Sequence, residues 1–168
     1  MNANVGGWGY STQVIESITG EQSNAYKKLI AECETQPIWG MKHPRLCFVS
    51  QFIWPLLDDP RAVFTRRPFI HTAKSLVRYS EINLEGRERM SLDKAVEILH
   101  RWKRAYDRRL AEFTGPAHHV GYYTLLDDPE GEIRKLQSFC FGGSDAPGPN
   151  ESKIDDAVKF IERGLRHF

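Results

Sequence analysis

The sequence contains few cysteines, and they show no pattern of a disulfide framework or a metal site. Its 168 residues include three cysteines, Cys33, Cys47 and Cys140. Their number is odd, they lie far apart, and none belongs to a CxxC pair or to a Cys/His pair with the spacing of zinc ligands. We therefore expect no disulfide and no metal. A reducing compartment such as the cytoplasm suits this composition.

Long apolar runs and an excess of charge of either sign are also missing. No apolar run approaches the roughly 18 residues that a membrane helix needs, and the N-terminus lacks the basic-then-apolar order of a signal peptide. Lysine and arginine total 23 against 22 aspartate and glutamate residues, a formal net charge of +1. These absences predict a soluble, cytoplasmic protein with no membrane partner and no partner selected by overall charge.

The length and the apolar content allow one domain with a sizeable core. The chain is close to the usual size of a single domain, and 40% of its residues are hydrophobic. No linker, internal repeat or low-complexity segment divides it. We predict a single domain over residues 1–168, with a poorly structured lead-in at 1–23 and a loop at 142–152.

Segments typical of strands alternate with segments typical of helices. Residues 62–65, AVFT, form a short apolar segment between two helical patterns, and residues 118–126, HHVGYYTLL, predict a second strand. The clearest helix begins after a possible cap at Ser91 and continues to Phe113, before a Gly-Pro pair. This alternation favours an α/β fold with parallel strands.

Apolar residues at helical spacing predict five further helices. They cover about 26–33, 46–57, 72–79, 133–140 and 154–161. Pro55 should kink the second of them or end it early. In the fourth we expect Ile133, Leu136 and either Phe139 or Cys140 to be buried.

Two arginines follow the first predicted strand, at a position where α/β proteins bind ligands. In parallel sheets, ligands bind beyond the carboxyl ends of the strands, where loops lead into helices. Arg66 and Arg67 occupy this position, and Thr72 and Ser75 lie in the helix that follows. Free N–H groups at a helix start and the planar guanidinium suit phosphate oxygens. Taken alone, the pair is more typical of two solvated surface arginines than of a ligand site.

Four segments, in order, resemble the bacterial branch of the nucleotide-dependent sulfotransferases. They are PIWGMKHPRLCFVSQFIWPLL (37–57), PRAVFTRRPFIHTAKSLVR (60–78), AVEILHRWKRAYDRRL (95–110) and HVGYYTLLDDPEGEIRKLQSFCF (119–141). That family commonly has a WG-x-K-x-P segment, then a strand ending in Arg with a Pro close behind and a Ser on the next helix, and later a YEDLL-x-DP segment. The resemblance covers roughly residues 25–141.

The resemblance implies a fold, a reaction and a donor. The fold would be a P-loop-type, three-layer α/β arrangement, with a parallel sheet flanked by helices. The reaction would transfer a sulfuryl group from 3′-phosphoadenosine 5′-phosphosulfate (PAPS) to a hydroxyl or amine of a small-molecule or carbohydrate acceptor.

The resemblance also implies roles in donor binding for individual residues. Arg66 or Arg67, together with Ser75, would hold the 3′-phosphate of the donor. The family's spacing in sequence from the arginine to the following proline selects Arg66, whereas its spacing to the serine selects Arg67. Both arginines are therefore retained. Tyr122 matches an aromatic that lies near the adenine in the family, although ordinary packing in a strand explains it equally well.

The segment MKHP resembles the part of the family that supplies a catalytic base. It places Lys42 and His43 in a comparable part of the chain. An imidazole titrates close to neutral pH and is chemically suited to this role. A loop histidine beside a proline is also typical of an ordinary turn. The acidic pair of the YEDLL segment is replaced here by Tyr123 and Thr124.

The Gly-rich phosphate loop of the family, of the form PxSGTS or PKSGTT, is not recognisable. Such a loop holds the 5′-phosphosulfate with backbone N–H groups. Residues 5–12, VGGWGYST, contain glycines but lack a preceding apolar strand and a basic residue. We expect a sheet that is incomplete at its first strand. It would be closed in another way, completed by a second copy in a homo-oligomer, or part of a longer protein.

Two alternatives to an active sulfotransferase remain. The first is a truncated or non-catalytic homologue that binds a nucleotide or a protein partner through the remaining half of the site. The second is nucleic-acid binding through residues 100–109, HRWKRAYDRR. We do not expect nucleic-acid binding, because Trp102 and Tyr106 lie on the apolar stripe of the helix.

Overall fold

The computed structural model describes residues 17–43, 46–83, 89–142 and 148–164. Helices predominate in these segments, and two short strands form a parallel sheet, which confirms the α/β class. Residues 5–12, where a phosphate loop was sought, lie outside the described residues, so the P-loop-type detail stays a prediction. None of the described helices is both long and apolar enough to span a bilayer.

The order of elements follows the sequence pattern except at residues 122–126, where a helix replaces part of the second predicted strand. It is α1 (Gly20–Cys33), α2 (Leu46–Ile53), a 3₁₀ turn (Trp54–Leu56), β1 (Ala62–Arg66), α3 (Phe69–Asn83), α4 (Leu92–Glu112), β2 (Ala117–Gly121), α5 (Tyr122–Asp127), α6 (Pro129–Phe141) and α7 (Glu151–Gly164). Helix α1 begins at Gly20, inside the expected lead-in, because Thr19 and Gln22 form a reciprocal capping box. Pro55 lies in the 3₁₀ turn that ends α2, as predicted.

Strands β1 and β2 pair directly with each other, in parallel. Ala62 lies opposite Ala117, and Arg66 lies opposite Gly121. At this first pair, the N–H of Ala62 donates to the carbonyl of Pro116, the residue before β2, at 3.0 Å. In the described part of the chain no third strand joins this sheet. Because the strands run in step, their carboxyl ends meet at one edge.

A close backbone approach requires glycine at the turn before β2. A Cβ at Gly115 would lie 2.9 Å from the carbonyl oxygen of Pro60 and 2.8 Å from the ring of Phe113. Any larger residue would push the turn away from the start of β1. Gly115 thus keeps the two strands in register from their first residues.

Helix α4 forms the centre of the core. It packs against α2 and α3, and its buried residues include Ala95, Ile98 and Leu99. Trp102 and Tyr106, which were predicted to lie on its apolar stripe, are half-buried, whereas Leu92 is 42% exposed and the charged Arg109 is buried.

Helices α4 and α6 lie on opposite faces of the sheet. Phe64 of β1 contacts the rings of Tyr106 and Phe113 at the α4 side, with centroids 5.6 and 6.2 Å away. His118 of β2 contacts Phe139 of α6 at 5.4 Å. His118 pairs with Val63, the residue before Phe64 in β1. Successive residues of a strand face opposite sides of the sheet, so His118 and Phe64 face opposite sides. The sheet therefore has a helix on each face.

Helix α6 differs from the sequence prediction in what it buries. Ile133, Leu136, Phe139 and Cys140 are only half-buried, whereas Glu132 is 4% exposed. Its carboxylate accepts a hydrogen bond from the ammonium group of Lys135 at 2.7 Å. The expected burial was wrong in extent because the helical period shows which residues share a face, but not how completely neighbours cover that face.

We predict that Ser91→Ala lowers the free energy of unfolding by about 1 kcal/mol, because it removes an N-cap. The Ser91 hydroxyl accepts a hydrogen bond from the N–H of Lys94 at 3.2 Å. Urea denaturation would measure the change. Ser138→Ala is the matched control, since Ser138 is exposed inside α6. Equal stability of the Ser91→Ala variant and the unchanged protein would contradict the prediction.

Candidate functional site

A large cavity lies at the edge where the two strands end. Its volume is about 770 Å³. Residues from both strands and from α2, α3, α4 and α5 line it, and those that matter below are Arg66, Arg67, Phe69, Thr72, Trp102, Lys103, Tyr106, Asp107 and Tyr122. This is the position expected for a ligand in a parallel α/β sheet.

The two arginines at the end of β1 differ in their surroundings. The guanidinium carbon of Arg67 lies 4.6 Å from the centroid of the Tyr122 ring, a cation–π contact. Arg67 is half-buried, whereas Arg66 is exposed, and both line the cavity. The structure thus brings Arg66, Arg67 and Tyr122 to one cavity, and their roles in donor binding stay predictions.

Tyr122 does not lie in a strand. Strand β2 ends at Gly121, and Tyr122 is the first residue of α5, so the predicted strand over 118–126 is too long. A Cβ at Gly121 would lie 2.8 Å from the hydroxyl oxygen of Thr124, which shows how tightly the first turn of α5 folds onto the strand end. Packing within a strand is therefore the wrong interpretation of Tyr122.

Three other predicted residues are not part of the cavity lining. Ser75 is half-buried on α3, one turn beyond Thr72, which does line the cavity. Lys42 and His43 are exposed in the segment before α2, where the His43 carbonyl accepts a hydrogen bond from the N–H of Leu46 at 3.0 Å. Their predicted roles in donor binding and proton transfer stay predictions.

A family model described as the sulfotransferase family matches residues 10–142. This range contains both strands, Arg66, Arg67 and Tyr122. The chain belongs to the sulfotransferase family. Its membership confirms the resemblance to sulfotransferases and indicates a sulfotransferase-like function, while the bacterial branch stays a prediction. Comparisons with curated proteins and with solved structures give no match.

In this sulfotransferase-family chain, the residues that replace the acidic pair have structural contacts of their own. The Tyr123 hydroxyl lies 2.9 Å from Nδ1 of His71, and the two rings meet edge to face at 5.9 Å. This contact joins α5 to the first turn of α3. It therefore links the helix that carries Tyr122 to the helix that follows Arg67.

Helix α4 supplies cavity residues that the sequence analysis did not place at the site. Trp102 and Tyr106 line the cavity, and Lys103 and Asp107 form an ion pair at 2.5 Å beside them. The spacing of the ion pair, four residues along a helix, was visible in the sequence. Its position at the cavity was not, because only the packing of α4 against the sheet determines it.

The three cysteines of this sulfotransferase-family chain form no disulfide. Burial raises the pKa of the Cys47 thiol to about 11, against smaller lowering effects of a backbone hydrogen bond and the Arg109 cation. The thiol is therefore protonated near neutral pH and is a poor nucleophile. Among the described residues no group of His, Cys, Asp and Glu side chains is arranged to hold a metal ion.

We predict that Tyr123 and His71 stabilise each other by about 1 kcal/mol or less, since their hydrogen bond is partly exposed to water. A double-mutant cycle of Tyr123→Phe and His71→Phe, followed by urea denaturation, would measure this coupling energy. A coupling energy of zero would show that the contact does not hold α5 to α3.

We predict that Cys47 reacts slowly with iodoacetamide in the folded protein. An ordinary thiol titrates near 8.5, so at pH 8 the raised pKa lowers the thiolate fraction more than about 100-fold. The rate should keep rising beyond pH 9 in the folded protein but level off near pH 9 in urea. Mass spectrometry of the alkylated peptides would measure both rates, and equal rates at pH 8 would contradict the prediction.

Proposed function

We propose that the cavity at the end of β1 binds PAPS and that the chain transfers its sulfuryl group to a hydroxyl or amine of a small-molecule or carbohydrate acceptor. The observation that carries this proposal is Arg67, stacked on Tyr122 and next to Arg66, at the carboxyl end of the sheet in a sulfotransferase-family chain. In this proposal the two arginines hold the 3′-phosphate of the donor.

The charges of the lining support an anionic ligand. Arg66 and Arg67 bring two positive charges to the rim of the cavity. Asp107 is the one carboxylate among the described lining residues, and it is paired with Lys103. Guanidinium groups bind phosphate oxygens through two parallel hydrogen bonds, and the Tyr122 ring would hold Arg67 in position for them.

The apolar part of the lining suits the neutral parts of the reactants. Phe69 and Trp102 offer ring surfaces, and an adenine base has a flat face of similar size. A cavity of about 770 Å³ lies within the usual range for sites that enclose a small molecule. Donor and acceptor groups could therefore be held side by side.

The reaction breaks the bond between sulfur and the bridging phosphate oxygen and forms a bond from sulfur to the acceptor oxygen or nitrogen. The leaving oxygen keeps the electron pair, and cations near it lower the barrier. The acceptor proton must go to a base, and His43 remains our proposed base with Lys42 beside it. Both precede α2, whose residue Cys47 lines the cavity.

A non-catalytic homologue is the second candidate. The observation that favours it is the exposed position of His43 and Lys42 outside the cavity lining. Such a protein would bind adenosine 3′,5′-bisphosphate, the product of the donor, without turnover.

Calorimetric titration with adenosine 3′,5′-bisphosphate tests the donor site. We expect saturable binding that Arg67→Ala weakens by about 10-fold or more, because a hydrogen bond to a charged group contributes about 1.5–3 kcal/mol. The double variant Arg66→Ala/Arg67→Ala should show no measurable binding. Arg89→Ala is the control, since Arg89 is exposed and lies before α4.

Two results would separate the candidates. Unchanged affinity in the double variant would place the nucleotide elsewhere and overturn the proposed site. If the nucleotide binds but PAPS releases no adenosine 3′,5′-bisphosphate with any of a panel of hydroxyl and amine acceptors, the non-catalytic homologue is favoured.

A further inference from the structure

A second cavity lies between α2 and α4 and is lined mainly by arginines. Its volume is about 170 Å³. Four guanidinium side chains of α4 line it, together with residues of α2, and these are Arg101, Arg104, Arg108, Arg109, Cys47 and Phe48. We call this the arginine cavity. None of its arginines lines the larger cavity at the sheet.

The arginine cavity has more positive than negative charge. Arg101 pairs with Glu97 at 2.6 Å, and Arg109 pairs with Glu112. For Arg104 and Arg108, the described residues provide no ion pair. These two lie four residues apart on α4, a spacing at which like charges destabilise a helix. An anion bound between the two guanidinium groups would offset their repulsion.

Arg109 gives an independent reason to expect an anion. Its side chain is only 6% exposed, and its Nε is buried without a hydrogen-bond partner among the described residues. A buried, unpaired N–H of a charged group is unfavourable. The Cys47 thiol adds no negative charge to this cavity, because burial keeps it protonated near neutral pH.

We propose that the arginine cavity binds an oxyanion, and that this oxyanion is the sulfate, phosphate or carboxylate group of the acceptor. This inference rests on the proposed sulfotransferase function. Cys47 lines both cavities, so the arginine cavity adjoins the larger one. An acceptor that reaches from one cavity to the other would place its anionic group among the arginines and its hydroxyl or amine near the donor. The acceptor is therefore an anionic molecule.

The structure favours a small anionic group over a nucleic acid. The arginine cavity is small, and the aromatic residues of the same helix line the larger cavity instead of this one. Trp102 contacts Phe48 at 6.1 Å, and Tyr106 contacts Phe64 at 5.6 Å. Proteins that bind single-stranded nucleic acid combine basic residues with aromatic rings on which bases stack, whereas the aromatic residue that lines the arginine cavity, Phe48, is buried.

An NMR titration of the full chain with sodium sulfate, at constant ionic strength, tests the anion site. We expect saturable shifts of the arginine Nε–H signals, that of Arg109 above all. Arg104→Gln/Arg108→Gln should raise the dissociation constant at least about 10-fold, since charge-assisted hydrogen bonds are lost. Lys27→Gln/Lys28→Gln, which removes the same charge from exposed positions on α1, should leave it unchanged.

Two further probes test the source of the oxyanion. A sulfated disaccharide should shift the same signals and bind more tightly than inorganic sulfate, because its sugar reaches the larger cavity. Equal affinities would overturn the assignment to the acceptor. Tighter binding of a single-stranded oligonucleotide that falls steeply with salt would overturn it in favour of nucleic acid.

The same samples separate this inference from the proposed function. Adenosine 3′,5′-bisphosphate should bind the Arg104→Gln/Arg108→Gln variant as it binds the unchanged chain. If nucleotide binds but sulfate gives no saturable shift, the anion site is wrong and the donor site stands. If sulfate binds at the arginine cavity but nucleotide does not bind, the donor site is wrong, and the link to the acceptor falls with it.

Discussion

The parallel pairing of β1 with β2 is the constraint on which the site depends. The register sets Arg66 opposite Gly121, and from there the chain continues into Arg67 on one side and Tyr122 on the other. A shift of one residue would turn every side chain of one strand to the opposite face. It would also separate the guanidinium of Arg67 from the ring of Tyr122. The cation–π contact is thus a consequence of sheet register, which Gly115 supports at the opposite end.

Helix α4 connects the sheet to both cavities. Its apolar stripe packs against the strands through Tyr106. Other sides of the helix face the two cavities. One side presents Lys103 and Asp107 to the large cavity, and another presents Arg104 and Arg108 to the arginine cavity. Since all these residues share one rigid element, the distance between the cavities is set by helix geometry rather than by loops.

Local signals allowed part of this arrangement to be predicted from the sequence. The apolar run before Arg66 and the cap at Ser91 are signals formed by residues close together in the sequence. The structure has β1 and α4 where these signals predicted them. The end of β2 was missed because Tyr122 and its neighbours are strand formers, whereas tertiary packing makes them helical. The contact of Tyr123 with His71 joins residues far apart in the sequence, and no local pattern reports it.

The separation of the two groups of arginines has a physical reason if both reactants are anionic. A phosphosulfate donor and an anionic acceptor repel each other, most strongly where water is excluded. Arg66 and Arg67 at the sheet, with Arg104 and Arg108 on α4, would offset the two charges at different places. Each reactant would then be held by its own cations while the reacting atoms meet between them. Such local charge is compatible with a formal net charge of +1, because acidic residues elsewhere in the chain balance it.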